Sequence, residues 1–366
     1  MHFDLFYELA VPAFSGRSEA DVFHHTLMEI AAAEEVGFRT AWLVEHHFTR
    51  EYSHSSAPDL FLDAASQRTK HLRLGHAIIP LPYHHPVHIA ERLATLDILT
   101  NGRVDFGFGR GFSPKEYTVF CVDMAESRER VAEALQILRL SLLDLPVNFA
   151  GKHYVLNDID ILPKTQQKTQ MPFWSAAVSP ESFELAAQLG VGVLVGPFKP
   201  WFMVKADIAR YRQAWLKYQG QNSAPHLNPR VGMTVGIFCL KDGKRARAIA
   251  KNNITWFYRE LLKQTAPVLK QLHTSYEYYQ GLGSLKLLLE KTVNLTILET
   301  LGMVVAGTPE HCRKKLQSYA DAGVDHLLCA VGAGGSAGDC VIESIQTLGQ
   351  EVLPHFTDTS FKTCIS

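Results

Sequence analysis

The 366-residue chain has no surplus of either charge: 36 Lys and Arg stand against 37 Asp and Glu, a net charge of −1. A dedicated nucleic-acid binder usually carries a basic excess, so this balance argues against that class. It also provides no field for steering a highly charged partner. No run approaches the roughly 18 consecutive apolar residues of a membrane-spanning helix. The six cysteines, Cys121, Cys239, Cys312, Cys329, Cys340 and Cys364, include no C-x-x-C pair. They point to free thiols in a reducing compartment, the cytoplasm, and give no zinc site. A G-x-S-x-G elbow, a P-loop and an H-E-x-x-H helix are all missing, as are internal repeats and low-complexity tracts. The N-terminal MHFDLFYELAVP lacks the basic start and long apolar stretch of a signal peptide and reads as a first strand. Charged residues are only 20% and apolar residues 46%, which allows a large core and suggests that some surface is buried in an oligomer.

What is present is an alternation. HFDLFYELA reads as a strand and residues 18–36 as a helix, with Ser18 as N-cap, Asp21 three residues later and Gly37 as the stop. The strand TAWLVEHHF precedes the helix PDLFLDAASQRT, and the strand LRLGHAIIP precedes a helix opened by Pro86. RVDFGFG, PFWSAAV, VGVLVG, RVGMTVGIFCL and VDHLLCAVG continue the series of strands, each followed by helical sequence. Such alternation predicts a parallel sheet with crossover helices. Eight units in one chain predict an α/β fold, a closed (β/α)8 TIM barrel forming one domain over 1–366. An open doubly wound sheet is the structural alternative. Two stretches exceed a minimal barrel. Residues 145–163 read as a small extended insertion. Residues 263–305, with Gly281 and Gly283 beside Tyr276, Tyr278 and Tyr279, form a candidate lid.

Barrel enzymes work at the C-terminal ends of their strands, and three places there carry chemistry-bearing residues. The first is EHHF at 45–48. His46 and His47 alternate in direction on a strand, so one of them faces the mouth, where an imidazole can serve as base or hydrogen-bond donor. The competing reading is a structural pair bonded to backbone. The second is FGFGRGF at 106–112. Gly107, Gly109 and Gly111 let backbone approach a flat ligand or form a turn, and Arg110 offers a planar fork for phosphate. The G-x-G-x-G spacing followed by Pro114 is not a dinucleotide fingerprint; the alternative is a tight turn with an exposed arginine. The third is the strand-to-helix turn bearing Ser179 and Ser182, whose amides and hydroxyls can hold an anion unless Ser179 is simply an N-cap. His84, His85 and His88 in HHPVH lack a carboxylate or cysteine at useful local spacing, so no metal site is assigned. Phe198, Trp201, Phe202, Trp256, Phe257 and Tyr258 hint at an apolar or aromatic substrate, with core packing as the alternative.

In these segments the chain resembles the bacterial luciferase-like flavin monooxygenases of the catalytic α-subunit type. The resemblance covers EEVGFRTAWLVEHHF, LPYHHP, ERLATLDILTNGRVDFGFGRG, VFCVDMAESR, LAAQLG and GTPEHCRKKLQSYADAGVDHLLC. It implies a (β/α)8 barrel with extra segments, usually dimeric, using reduced FMN from a separate flavin reductase. His46 matches the family's active-site histidine and His47 its neighbour. Arg110 matches the arginine that holds the FMN phosphate, and Ser179 and Ser182 fall on the turn that completes that site. Glu116 falls where luciferases carry an acidic residue affecting flavin binding. The strand Gly75–His76–Ala77 corresponds to a place with a non-proline cis peptide beside the flavin, implied here at His76–Ala77. Two departures stand out. Gly109 replaces a reactive cysteine, and Val178 replaces an acidic residue, which puts light emission from long-chain aldehydes in doubt but not flavin binding.

The resemblance therefore implies a two-component FMN-dependent monooxygenase. It would use dioxygen, through a flavin hydroperoxide, to oxygenate a small apolar organic substrate, as a homodimer or with a related chain. A deazaflavin-dependent oxidoreductase and a non-catalytic flavin-binding partner subunit are the alternatives. The histidines of EHHF argue against the latter.

Overall fold

The computed structural model describes residues 1–272 and 293–357, with 266–272 and 357 given by backbone alone. Its first unit shows how local sequence directs the chain. Strand β1 (His2–Tyr7) leads through a short loop to helix α1 (Glu19–Glu35). Ser18 Oγ accepts the Asp21 N–H at 3.1 Å, and Asp21 Oδ2 accepts the Ser18 N–H at 3.0 Å. This reciprocal capping box satisfies amides that the helix leaves without partners. Gly37, at φ +89°, turns the chain out of the helix.

The alternation continues with β2 (Thr40–Leu43), α2 (Pro58–Ser66), β3 (Arg73–His76), a short β4 (Ile79–Pro80), α3 (Pro86–Leu99), β5 (Val104–Gly109), α4 (Pro114–Val119) and α5 (Ser127–Ser141). A hairpin follows, β6 (Val147–Ala150) and β7 (Val155–Ile159). Then come β8 (Phe173–Ala176), α6 (Pro180–Leu189), β9 (Gly192–Val195), α7 (Trp201–Tyr218), β10 (Val231–Cys239), α8 (Gly243–Leu272), β11 (Val304–Gly307) and β12 (His326–Ala330).

Parallel pairing runs β1, β2, β3, β5, β8, β9, β10, β12 and back to β1. The sheet is thus closed, a (β/α)8 barrel, and the open-sheet alternative is excluded by the β12–β1 pairing. These eight strands are the ones that the sequence pattern marks. The hairpin β6–β7 is antiparallel and occupies the extended insertion at 145–163. β11 begins in the last two residues of the second insertion, 263–305, and runs past its end. It pairs with Gly236–Cys239 of β10, starting at the residue where the stretch that pairs with β12 ends. A four-residue apolar run among helices carries too little periodicity to announce itself as a strand. Tyr276, Tyr278, Tyr279, Gly281 and Gly283 lie outside the described residues.

The barrel interior is filled by large polar-tipped side chains. Asp4, fully buried, accepts the Trp42 Nε1–H at 2.8 Å and lies 2.8 Å from His326 Nδ1. Asp105 accepts the Trp174 Nε1–H at 2.9 Å and pairs with Arg73. The two indoles meet edge to face at 5.4 Å. Partnering of this kind is what makes buried charge tolerable. Among the described residues no helix is long and apolar enough to cross a membrane.

Candidate active site

β1 and β2 lie side by side with Tyr7 level with Leu43, so the residues just beyond them are neighbours. Alternation along β1 puts Asp4, Phe6 and Glu8 on one face. Past Leu43 the chain leaves the sheet but stays pinned. Glu45 N–H donates to the Ile78 carbonyl at 3.2 Å, His46 N–H to that of Ser55 at 3.0 Å, and His47 N–H to Glu116 Oε1 at 2.8 Å.

This backbone sends the two histidines to different neighbours. His46 Nε2 lies 3.9 Å from Glu8 Oε2, and its Nδ1 lies 3.6 Å from Glu116 Oε1. Its ring packs against Phe112 at 5.3 Å and Tyr52 at 5.9 Å, and Phe112 in turn meets Phe198 at 6.3 Å. His47 sits with Phe120 and Phe48 and lies 3.0 Å from Glu45 Oε1, an oxygen that is also 2.6 Å from His84 Nε2. The expectation that the pair diverges holds, although the divergence arises beyond the end of the strand.

Glu116 is drawn into the same cluster by α4. Ser113 caps that helix, its Oγ accepting the Glu116 N–H at 3.3 Å. The Glu116 carboxylate is buried; Oε1 takes the His47 amide, and Oε2 accepts the Tyr83 hydroxyl at 3.1 Å. Burial pulls the His46 pKa down, but the carboxylates of Glu8, Glu116 and Glu45 outweigh it and raise it above the ordinary value. Burial pushes Glu8 up, against the pull of His46 and Tyr52. Burial also works against the charge on Glu45, yet the hydrogen bonds from His47 and His84 prevail and hold its carboxyl below the usual range.

Arg110 and Ser179 leave the same end of the barrel on neighbouring strands. β5 and β8 are parallel, with Phe108 opposite Ser175. The Arg110 side chain is exposed and makes no ion pair among the described residues; its carbonyl accepts the Tyr117 hydroxyl. Ser179 occupies the N-cap position of α6, but its hydroxyl caps no amide. That hydroxyl instead helps hold the Glu181 carboxyl below its usual range. Ser182 Oγ accepts the Val178 N–H at 2.9 Å and donates to the Ser179 carbonyl at 2.6 Å. Its proton is therefore used in building the turn.

One expectation is corrected at β3. The cis peptide implied at His76–Ala77 falls at Ala77–Ile78. Leu43 pairs with His76, and its carbonyl still accepts the Ala77 N–H at 2.7 Å, so regular sheet geometry persists one residue further. The His76 side chain is fully buried, 5.8 Å from Phe106, with Nε2 3.0 Å from Asp59 Oδ1. Asp59 also pairs with Arg92. His76 therefore ties β3 to α2 and α3 through Nε2, while its buried Nδ1 has no hydrogen-bond partner among the described residues; Ala77 beside it is half-buried. The glycines of FGFGRGF serve internal packing as well. A Cβ on Gly107 would come 1.9 Å from the His76 carbonyl oxygen, and one on Gly109 would come 2.9 Å from Ile78 Cδ1.

Among the described residues no group of three or more His, Cys, Asp and Glu is arranged to hold a metal ion. Of the aromatics picked out in the sequence, Phe198 reaches the cluster around His46. Tyr258 is core, its hydroxyl donating to the Met303 carbonyl at 2.6 Å, and Phe202 is exposed. Sequence reasoning missed Glu8, Tyr52 and the roles of Glu45 and His84. The signal for Glu8 was a single acidic residue at the end of an apolar strand.

The model of the luciferase-like monooxygenase family matches residues 1–326. An alkanal monooxygenase alpha chain from a Kryptophanaron alfredi symbiont is 26% identical over 336 residues, covering 90% of this chain and 91% of that one. The 4-hydroxyprotoasukamycin monooxygenase of Streptomyces nodosus subsp. asukaensis is 36% identical over 163 residues, 44% of each chain. Among solved structures, the monooxygenase RslO1 from Streptomyces bottropensis superposes with a TM-score of 0.78 at 25% identity, covering 97% of this chain and 100% of that one. With the family match spanning most of the barrel, the chain belongs to the luciferase-like monooxygenases, a class of flavin-dependent oxygenating enzymes.

Proposed function

We propose that the protein is the oxygenating component of a two-component system that uses reduced FMN, delivered by a separate reductase, and dioxygen to oxygenate a small apolar organic substrate. One observation carries this reading: an arginine with no ion pair among the described residues and a helix-opening turn share one barrel end with an imidazole set between two buried carboxylates. The donor set fits a flavin monophosphate. Arg110, which has no ion pair among the described residues, can form a charged fork on phosphate, and the Ser179 turn stands at the positive end of the α6 dipole. Ser182 shapes that turn. Gly109 and Ala77 line the approach to the flavin, and Glu116 fixes the loop beside it.

When bound, reduced FMN supplies the electrons that activate dioxygen. The chain's own residues do the rest. Arg110 and Ser179 anchor and orient. Phe112 and Phe198 present an apolar wall to the substrate and exclude water. His46 holds a proton at Nε2 for transfer at the mouth, and His47, tied to Glu45, keeps the loop in place. We assign the chain to the cytoplasm, as one domain working as a dimer, either of itself or with a related chain.

Titration of the protein with FMN, riboflavin and a deazaflavin, followed by flavin fluorescence, tests the cofactor. FMN should bind more tightly than riboflavin. Mixing the anaerobic complex of reduced FMN with dioxygen should then oxidise the flavin with measurable hydrogen peroxide release in the absence of substrate. Binding of the deazaflavin alone would refute the FMN reading. His46→Ala should still bind FMN and lose most substrate oxidation.

A further inference from the structure

We propose that Glu8 is a positioning residue for His46: from the end of the first strand, its carboxylate orients the imidazole and keeps the second ring nitrogen protonated, so that the ring meets the barrel mouth as a proton donor. The use of that proton rests on the function proposed above, but the coupling of Glu8 to His46 does not.

The carboxylate of Glu8 is held from behind. It is 8% exposed, its Oε1 accepts the Tyr52 hydroxyl at 2.8 Å, and its carbonyl accepts the Ser53 hydroxyl at 2.8 Å. Tyr52 itself stacks on Phe257 at 5.7 Å with 13° between the rings. Thus one carboxylate oxygen is anchored. The other, Oε2, is buried with no hydrogen-bond partner among the described residues and lies 3.9 Å from His46 Nε2. A buried carboxylate oxygen normally finds a donor, and the imidazole is the group beside it.

The opposite face of the ring decides the protonation state. His46 Nδ1 lies 3.6 Å from Glu116 Oε1. A neutral imidazole carries one N–H and one lone pair, so between two carboxylates its lone pair would face an anion. The imidazolium presents an N–H to each. The groups that face the ring are Glu8 from β1, Glu116 from α4, Glu45 from its own segment, and the rings of Tyr52 and Phe112. The carboxylates overcome the burial that would neutralise it. Glu116 Oε1 serves the His47 amide as well as the ring, while Glu8 Oε2 has no other polar partner among the described residues and acts on the imidazole through its charge.

Glu8→Gln tests this, since it keeps the shape and the oxygen that accepts from Tyr52 while removing the charge. The readout is the titration of the His46 imidazole in the full-length protein without flavin, followed by NMR with labelled histidine and assigned through His46→Ala. In the parent, the midpoint should lie above the 6.5 of an unperturbed imidazole; a midpoint below it overturns the proposal without any variant. In Glu8→Gln the midpoint should fall by about 1 unit, the scale set by an opposite charge within 4–6 Å. Glu8→Asp, which keeps the charge on a shorter arm, should restore part of the shift. A folded Glu8→Gln that titrates with the parent overturns the proposal, and so does an Asp variant no different from Gln. FMN affinity, measured in parallel, should stay within about threefold of the parent. Loss of FMN binding by the parent would sink the proposed function and leave the Glu8–His46 titration to be judged separately.

Discussion

Glu45 Oε1 lies 2.6 Å from His84 Nε2, a residue 39 positions away, and 3.0 Å from His47 Nε2. One buried carboxylate oxygen thus ties the loop after β2 to the segment that opens α3. Glu45→Gln removes the charge both imidazoles address. It should cost about 2 kcal/mol, within the range for hydrogen bonds to charged groups, read as a lowered urea midpoint at unchanged slope. The sign with pH is fixed by the depressed carboxyl. The stabilisation is present above the ordinary carboxylate pKa and is lost as pH falls through the lower folded value. The parent and the variant should therefore converge on acidification. An equal gap at all pH values would show that the charge is not what matters.

Arg110→Ala should weaken FMN binding roughly 10- to 100-fold, the range expected from losing a charged hydrogen bond of about 1.5–3 kcal/mol. Riboflavin, which lacks the phosphate, should bind the parent and the variant alike. The preference for FMN over riboflavin is thus the quantity to measure. If the variant weakens both flavins equally, Arg110 acts on the ring or on folding, and the phosphate lies elsewhere.

The barrel was legible because eight apolar runs alternate with helical sequence punctuated by Ser18, Gly37, Pro86 and Gly190, and such signals are local. β11 was not, because four apolar residues say nothing of their partner until β10 is seen to extend past β12. The site divides in the same way. His46, His47, Glu116 and Arg110 stood in motifs, and the fold gathers three of them within one cluster. Glu8 and His84 reach it through β1 and the segment before α3. Their role depends on which strand ends are neighbours, information that no spacing in the chain contains. His76 was named only through the cis peptide that the resemblance implies, and its buried side chain meets Asp59 of α2.

Glu29 offers a pH test of the fold itself. It is a buried carboxyl on α1, pushed up to about 8 by burial, against a smaller opposing pull from the nearby Tyr7 hydroxyl and Arg17. An acid whose folded pKa is raised contributes its stability below the unfolded value near 4.5 and loses it as pH rises through the folded one. The parent should therefore lose on the order of 1 kcal/mol per pH unit across that window from this group. Glu29→Gln should lack this component. Urea unfolding at pH 5 and pH 8 should show the variant gaining on the parent at the higher pH. No relative gain would mean that Glu29 finds a compensating partner when ionised.

Gly107 and Gly109 stand two apart on β5, and the surroundings of each predict opposite tolerance. A Cβ on Gly107 would lie 1.9 Å from the His76 carbonyl oxygen and 3.1 Å from its carbon. Both are backbone atoms of a strand held on one side by β2 and on the other by β5, with Gly75 paired to Asp105. Room can be made only by parting β3 from β5, which loosens the barrel wall beneath the site. Gly107→Ala should cost roughly 3 kcal/mol or more, or yield insoluble protein, as overpacking against rigid neighbours does. At Gly109 the contacts are Ile78 Cδ1 at 2.9 Å and Ala176 Cβ at 3.3 Å. The nearer of these is the tip of a flexible side chain that can turn aside. Gly109→Ala should therefore cost about 1 kcal/mol and leave a folded protein. Thermal unfolding of the two variants side by side decides the matter. If alanine is tolerated equally at both positions, the close approach of β3 to β5 is not maintained in solution.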